Sequence, residues 1–142
     1  MTGALDFSPL DRAIAALDDA LSVLGSSAWF EGQSAAVQNT LIAGAVQSVE
    51  FVFELAVKSL RRALEHHFAD STGVDAMSYR TLIRTAAERG LIDRVEPWFA
   101  YRDMRNITAH TYDRAKARAL LAEAPALRDD ARALHTRLVA LG

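Results

Sequence analysis

The sequence predicts an all-α protein built as an antiparallel helical bundle. Three observations point there. Apolar residues recur at helical spacing along nearly the whole chain, no stretch alternates with period two, and the connections between periodic segments are short. The 142 residues fit a single domain spanning 1–142, and 51% hydrophobic content is too high for a disordered chain. A chain of this length buries roughly two-thirds of its unfolded surface and folds without staples.

The first helix follows from Leu10, Ile14, Leu17, Leu21 and Leu24, which repeat at alternating steps of four and three. Ser8 is placed to cap it, Pro9 sits where a missing N–H does no harm, Asp11 meets the positive end of the helix, and Gly25 closes it. A second, long helix runs from about Ser34 to Phe68. Ile42, Val46, Val49, Phe53, Ala56, Leu60 and Leu64 form one stripe on it, with Leu41, Ala45, Val52 and Leu55 beside it. A helix apolar over so much of its girth is central, or faces a second subunit as well as its own core. Asp70-Ser71-Thr72-Gly73 breaks it. Ser78 caps a short third helix that Gly90 ends. A fourth begins between Asp93 and Pro97 and carries Trp98, Tyr101 and Met104. Asp113 caps a fifth, and Pro125 is expected to divide that from a sixth carrying Leu127, Ala131, Leu134, Leu138 and Leu141.

Composition removes several classes of function. With no cysteine there are no disulfides, no thiolate chemistry and no cysteine-bound zinc. Neither a signal peptide nor an apolar run of about 18 residues is evident, so a cytoplasmic protein with no membrane partner is expected. Residues 1–77 carry four basic and ten acidic side chains, whereas 78–142 carry twelve basic and eight acidic. A basic half suits an anionic ligand or an oppositely charged partner, and fourteen of the sixteen basic residues are Arg, whose fork grips phosphate oxygens in pairs. No P-loop, dinucleotide-binding, nucleophile-elbow or zinc-protease motif is present, and no cofactor or metal is implied. His66 and His67 are adjacent, about 100° apart on a helix, a poor metal pair.

The dense polar cluster is Arg102-Asp103-Met104-Arg105-Asn106-Ile107-Thr108-Ala109-His110-Thr111-Tyr112-Asp113. It joins fixed positive charge, an amide, an imidazole and a phenol. On a regular helix Arg105 and His110 lie about 140° apart, while Asn106 shares a face with His110, and Arg105 with Tyr112. A break before the Asp113 cap brings His110 toward Arg105. Spacing alone favours a solvated helix end, with Tyr112 half in the core. Glu54 and Lys58, four apart on the long helix, are either an ordinary ion pair or the edge of a polar cleft.

At these residues the chain resembles the HEPN superfamily, whose motif is Arg, four to six residues, then His. Here that is Arg105 and His110, extended by Tyr112 to Arg-x4-His-x-Tyr. The resemblance is stronger still to the branch of nucleotidyltransferase substrate-binding proteins, through Gln47-Ser48-Val49-Glu50-Phe51-Val52-Phe53-Glu54-Leu55-Ala56-Val57-Lys58-Ser59-Leu60 and Ala87-Glu88-Arg89-Gly90-Leu91-Ile92-Asp93. One departure is Val57, where Trp is frequent in that branch. It is expected to shrink a buried or interface contact and leave the polar motif untouched.

The resemblance implies an up-and-down bundle of four to six helices that forms a homodimer, with the motif in a cleft near the dimer interface. It implies a toxin-like, metal-independent endoribonuclease of a toxin–antitoxin pair. Arg105 and His110 would be catalytic, Asn106 would assist, and Glu54, Lys58, Arg102 and Asp103 would support the cleft. The implied partner is a separate minimal nucleotidyltransferase, which would neutralise the toxin by transferring AMP to Tyr112. The alternative is a non-catalytic subunit that binds a substrate or nucleotide for that enzyme. The chain itself lacks the Gly-Ser followed by Asp-x-Asp that a transferase needs.

Overall fold

In the computed structural model the described residues are 5–68, 73–108 and 113–141. They form six helices in the order α1 (Ser8–Gly25), α2 (Ser27–Glu31), α3 (Ala35–His67), α4 (Tyr79–Glu88), α5 (Glu96–Thr108) and α6 (Arg114–Leu141), and no strand occurs among them. The spine is α3, 33 residues or about 50 Å at the usual rise per residue. It packs against α1, α4, α5 and α6, and α6 also touches α1 and α5.

The helix ends follow local chemistry. Ser34 and Ser78 accept hydrogen bonds from the amides of Val37 and Thr81, each at 3.2 Å, and so cap α3 and α4. The Asp113 carboxylate accepts from the Ala115 amide at 2.8 Å at the start of α6. Ser8 does not cap α1. It already lies inside the helix, and Asp6 takes the Ser8 amide at 2.9 Å. That hydrogen bonding to Ser8 holds the Asp6 carboxyl below its ordinary value of 3.8. After α4 the chain reverses at Gly90, whose φ of +79° is available to glycine without strain.

The first stripe of α3 is the core. Val49, Phe53, Ala56, Leu60 and Leu64 are buried in one cluster with Leu10, Ile14 and Leu17 of α1 and Leu120, Leu127, Leu134 and Leu138 of α6, among others, and Ile42 is buried nearer the start of the helix. Full burial of each such aliphatic side chain contributes about 1.5–3 kcal/mol. In the second stripe Ala45 and Val52 are buried, but Leu41 and Leu55 only partly.

One helix is added and two expectations are corrected. A short helix, α2, fills the segment between Gly25 and Ser34; it buries Phe30 and is tied to α3 through Gln38, whose amide donates to the Phe30 carbonyl at 3.0 Å. Pro125 does not divide two helices, since α6 runs through it. Proline removes the hydrogen bond to the carbonyl four residues earlier, but Pro125 lies on the exposed side, while Ala124 and Leu127 beside it are fully buried and hold the helix to the core. Finally, α3 does meet the length and composition of a membrane-crossing helix, and one third of its most apolar window is buried within the chain. Its apolar content arises from two sources, a core stripe and an apolar outer face.

Candidate anion-binding groove

The solvent side of α3 carries Glu54, Lys58 and Arg61 at successive helical turns, while α5 carries Arg102 and Arg105 one turn apart. Packing of α5 and α4 beside α3 brings these together in an open groove of about 380 Å³ lined by Phe53, Glu54, Val57, Lys58, Arg61, Tyr79, Arg102 and Arg105. Four cations and one carboxylate give it a positive potential.

Arg105 reaches across from α5 to Glu54, with Nη2 2.6 Å from Oε1. The expected Glu54–Lys58 pair within α3 is therefore replaced by a pair between helices. Both partners stay 43–48% exposed, so the pair locates the guanidinium at the groove more than it stabilises the fold. Arg61 donates to the Val74 carbonyl at 3.2 Å. The guanidinium of Arg102 lies 5.0 Å from the centre of the Tyr79 ring. Tyr79 donates its hydroxyl to the Trp98 carbonyl at 2.8 Å, and burial pushes its pKa well above the ordinary phenol value. It is a fixed neutral wall, unsuited to proton transfer near neutrality.

Of the residues singled out in the sequence, Glu54, Lys58, Arg102 and Arg105 meet in this groove. Asp103 and Asn106 are exposed on α5 and do not line it. His110 and Tyr112 lie outside the described residues, between α5 and Asp113. Val57 proves to be part of the groove beside Arg105, which corrects the expectation that its departure leaves the polar motif untouched. A Trp there would narrow the groove itself. Sequence reasoning misses Arg61 and Tyr79. Arg61 carries a signal, since it follows Lys58 by three on the same helical face. Tyr79 carries none, because only the docking of α4 brings it to α3.

The class that fold and groove define is a helical bundle with a cationic groove at the α3–α5 seam. The chain belongs to the family described as nucleotidyltransferase substrate binding protein like, which it matches over residues 5–140. It is 42% identical over 123 residues to the probable ribonuclease HepT of Haemophilus influenzae, covering 87% of this chain and 84% of the relative. Among solved structures it resembles an H. influenzae protein described as the substrate-binding domain of a nucleotidyltransferase, with a TM-score of 0.90, 38% identity, and coverage of 94% and 98% of the two chains. A Thermus thermophilus protein is similar with a TM-score of 0.62 and 27% identity, over 86% of this chain and 98% of the other.

Proposed function

We propose that this protein is a metal-independent endoribonuclease, the toxin of a two-component toxin–antitoxin pair neutralised by a minimal nucleotidyltransferase. The observation that carries the reading is the cationic groove at Arg105, on the helix whose motif continues to His110. A relative named as a probable ribonuclease, 42% identical, supports it. In this reading Arg105 binds the scissile phosphate and stabilises the charge that grows on its oxygens. The ribose 2′-oxygen forms the new bond to phosphorus as the bond to the 5′-oxygen breaks. His110 takes the 2′-hydroxyl proton or supplies one to the leaving oxygen, a task suited to an imidazole near neutral pH. Asn106 hydrogen-bonds the phosphate or orients the imidazole.

The test is cleavage of RNA by the isolated protein. His110→Ala is expected to lower the rate by about 10²–10⁴-fold with the helical circular dichroism unchanged, and Arg105→Ala comparably. Equal rates in wild type and His110→Ala reject the enzyme. A non-catalytic subunit, presenting substrate or nucleotide to the transferase, is the second reading. It is favoured by the description of the family and of the H. influenzae structure.

Neutralisation is proposed to proceed by transfer of AMP to the Tyr112 hydroxyl. The phenol attacks the α-phosphorus of ATP, pyrophosphate leaves and the phenolic proton is released. The adduct adds a phosphodiester, a group that pairs with cations such as Arg105 and would then block an RNA phosphate. Intact-mass measurement after incubation with partner, ATP and Mg²⁺ should show an AMP-sized gain that is absent in Tyr112→Phe. A gain that survives the substitution eliminates this site.

A homodimer is also proposed. Val37 and Phe51 are exposed on α3 at 39% and 52%, on a face that includes Gly44 and the half-buried Leu41, Ser48 and Leu55. The face runs directly into Glu54 and Lys58 of the groove. A second copy is the occupant that would cover the apolar strip and enclose the groove together.

A further inference from the structure

Two exposed arginines of α4, Arg80 and Arg84, lie outside the groove but against its wall. Both guanidinium groups stand over the ring of Phe99, at 4.6 and 5.9 Å from its centre. Arg102 does the same over Tyr79. The rings form a ladder, with Phe53 to Tyr79 at 5.8 Å and Tyr79 to Phe99 at 6.5 Å. Phe53 and Tyr79 line the groove, so Phe99 continues it across the α4–α5 seam, with arginines laid on its outer steps.

Stacked arginines differ from paired ones. Arg128 and Arg137 direct their N–H groups at Asp18, Asp129 and Asp93. Among the described residues Arg80, Arg84 and Arg102 make no ion pair. A guanidinium resting on a ring is held in place while its in-plane donors stay available for oxygen ligands, and its outer face for a flat base. The acidic side chain felt at Tyr79 is Asp103, exposed on α5; α4 itself has its one carboxylate, Glu88, a further turn along. Cations repeated along a line suit an anion that also repeats along a line, and ring-supported guanidinium planes suit unpaired bases.

We propose that Arg80 and Arg84 on the Phe99 ring, together with Arg102, extend the groove into a track for the sugar–phosphate backbone of single-stranded RNA beyond the cleavage position. The identity of the strand rests on the ribonuclease reading; the track itself is tested without catalysis. The probe is a fluorescent 2′-O-methyl RNA oligonucleotide, which lacks the attacking hydroxyl, bound to the full chain and followed by anisotropy across a salt series. Arg80→Gln with Arg84→Gln should weaken binding about tenfold at low salt. The slope of log affinity against log salt should shrink by about 1.4, from roughly 0.7 per lost single-strand phosphate contact. Arg80→Lys with Arg84→Lys should keep the slope, while Phe99→Leu should lower affinity at constant slope. All these positions except Phe99 are exposed, and circular dichroism checks each fold. Unchanged affinity and slope in the double Gln variant overturn the track. The same result with loss of binding to the proposed nucleotidyltransferase partner overturns it in favour of a protein-docking surface. If instead His110→Ala cleaves like wild type while the double Gln variant binds poorly, the ribonuclease reading falls and the track stands.

Discussion

At the scale of single residues, the Glu54–Arg105 pair joins the two halves of the groove chemistry, one from α3 and one from α5. A carboxylate 2.6 Å from the guanidinium fixes its position, but it also repels an incoming phosphate. Half-exposed pairs contribute about 0–1 kcal/mol to folding. We therefore expect Glu54→Gln to shift stability by less than about 1 kcal/mol in chemical denaturation. Binding of the uncleavable oligonucleotide should tighten at low salt, because one negative charge leaves the groove. Weaker binding would mean that holding Arg105 in place outweighs the repulsion. Residue-level chemistry is partly legible in the sequence. Lys58, Arg102 and Arg105 are visible there as candidate cations of a polar cleft. That Glu54 turns to Arg105 and not to Lys58 depends on the distance between two helices, which intrahelical spacing does not encode.

Among the helices, α6 shows how packing overrides a local signal. Pro125 reads as a helix end because it lacks an N–H and crowds the preceding turn. It is tolerated because Leu120, Ala124, Leu127 and Ala131 lie in one buried row that crosses it. The proline stays on the solvent side. The local cost remains, so Pro125→Ala should stabilise the protein by up to about 3 kcal/mol, the difference in helix propensity. Urea denaturation measures it, and a loss of stability would show that Pro125 is needed to seat the end of α6. The opposite case is α2. Its five residues carry too little periodicity to be seen in the sequence, and it exists because Phe30 finds a buried site beside Ile42.

For the molecule as a whole, the question posed by α3 is what covers its outer apolar face. With only one third of its most apolar window buried within one chain, the helix offers more apolar surface than its own bundle uses. Sedimentation should give a dimer at tens of micromolar, and Phe51→Glu should dissociate it, since a charge facing its symmetry mate in an apolar seam is disfavoured. A wild-type monomer that stays soluble removes the proposal. If the dimer forms and Phe51→Glu leaves it intact, a different face is used.

The sequence by itself determined helices α1, α3, α4 and α5, the caps at Ser78 and Asp113, and most of the core stripe of α3. These depend on interactions within a few residues, where 3.6-residue periodicity and capping chemistry are read directly from neighbouring positions. It also carried the family, through motif blocks whose order along the chain is itself sequence information. The tertiary structure alone decided that α6 is continuous, that Val57 and Tyr79 belong to the groove, and that Arg80 and Arg84 rest on Phe99. Each of these joins residues far apart in the chain or depends on what a helix packs against. Such proximity is set by how side chains interlock between helices, and periodicity along one helix says which face is buried but not which partner covers it.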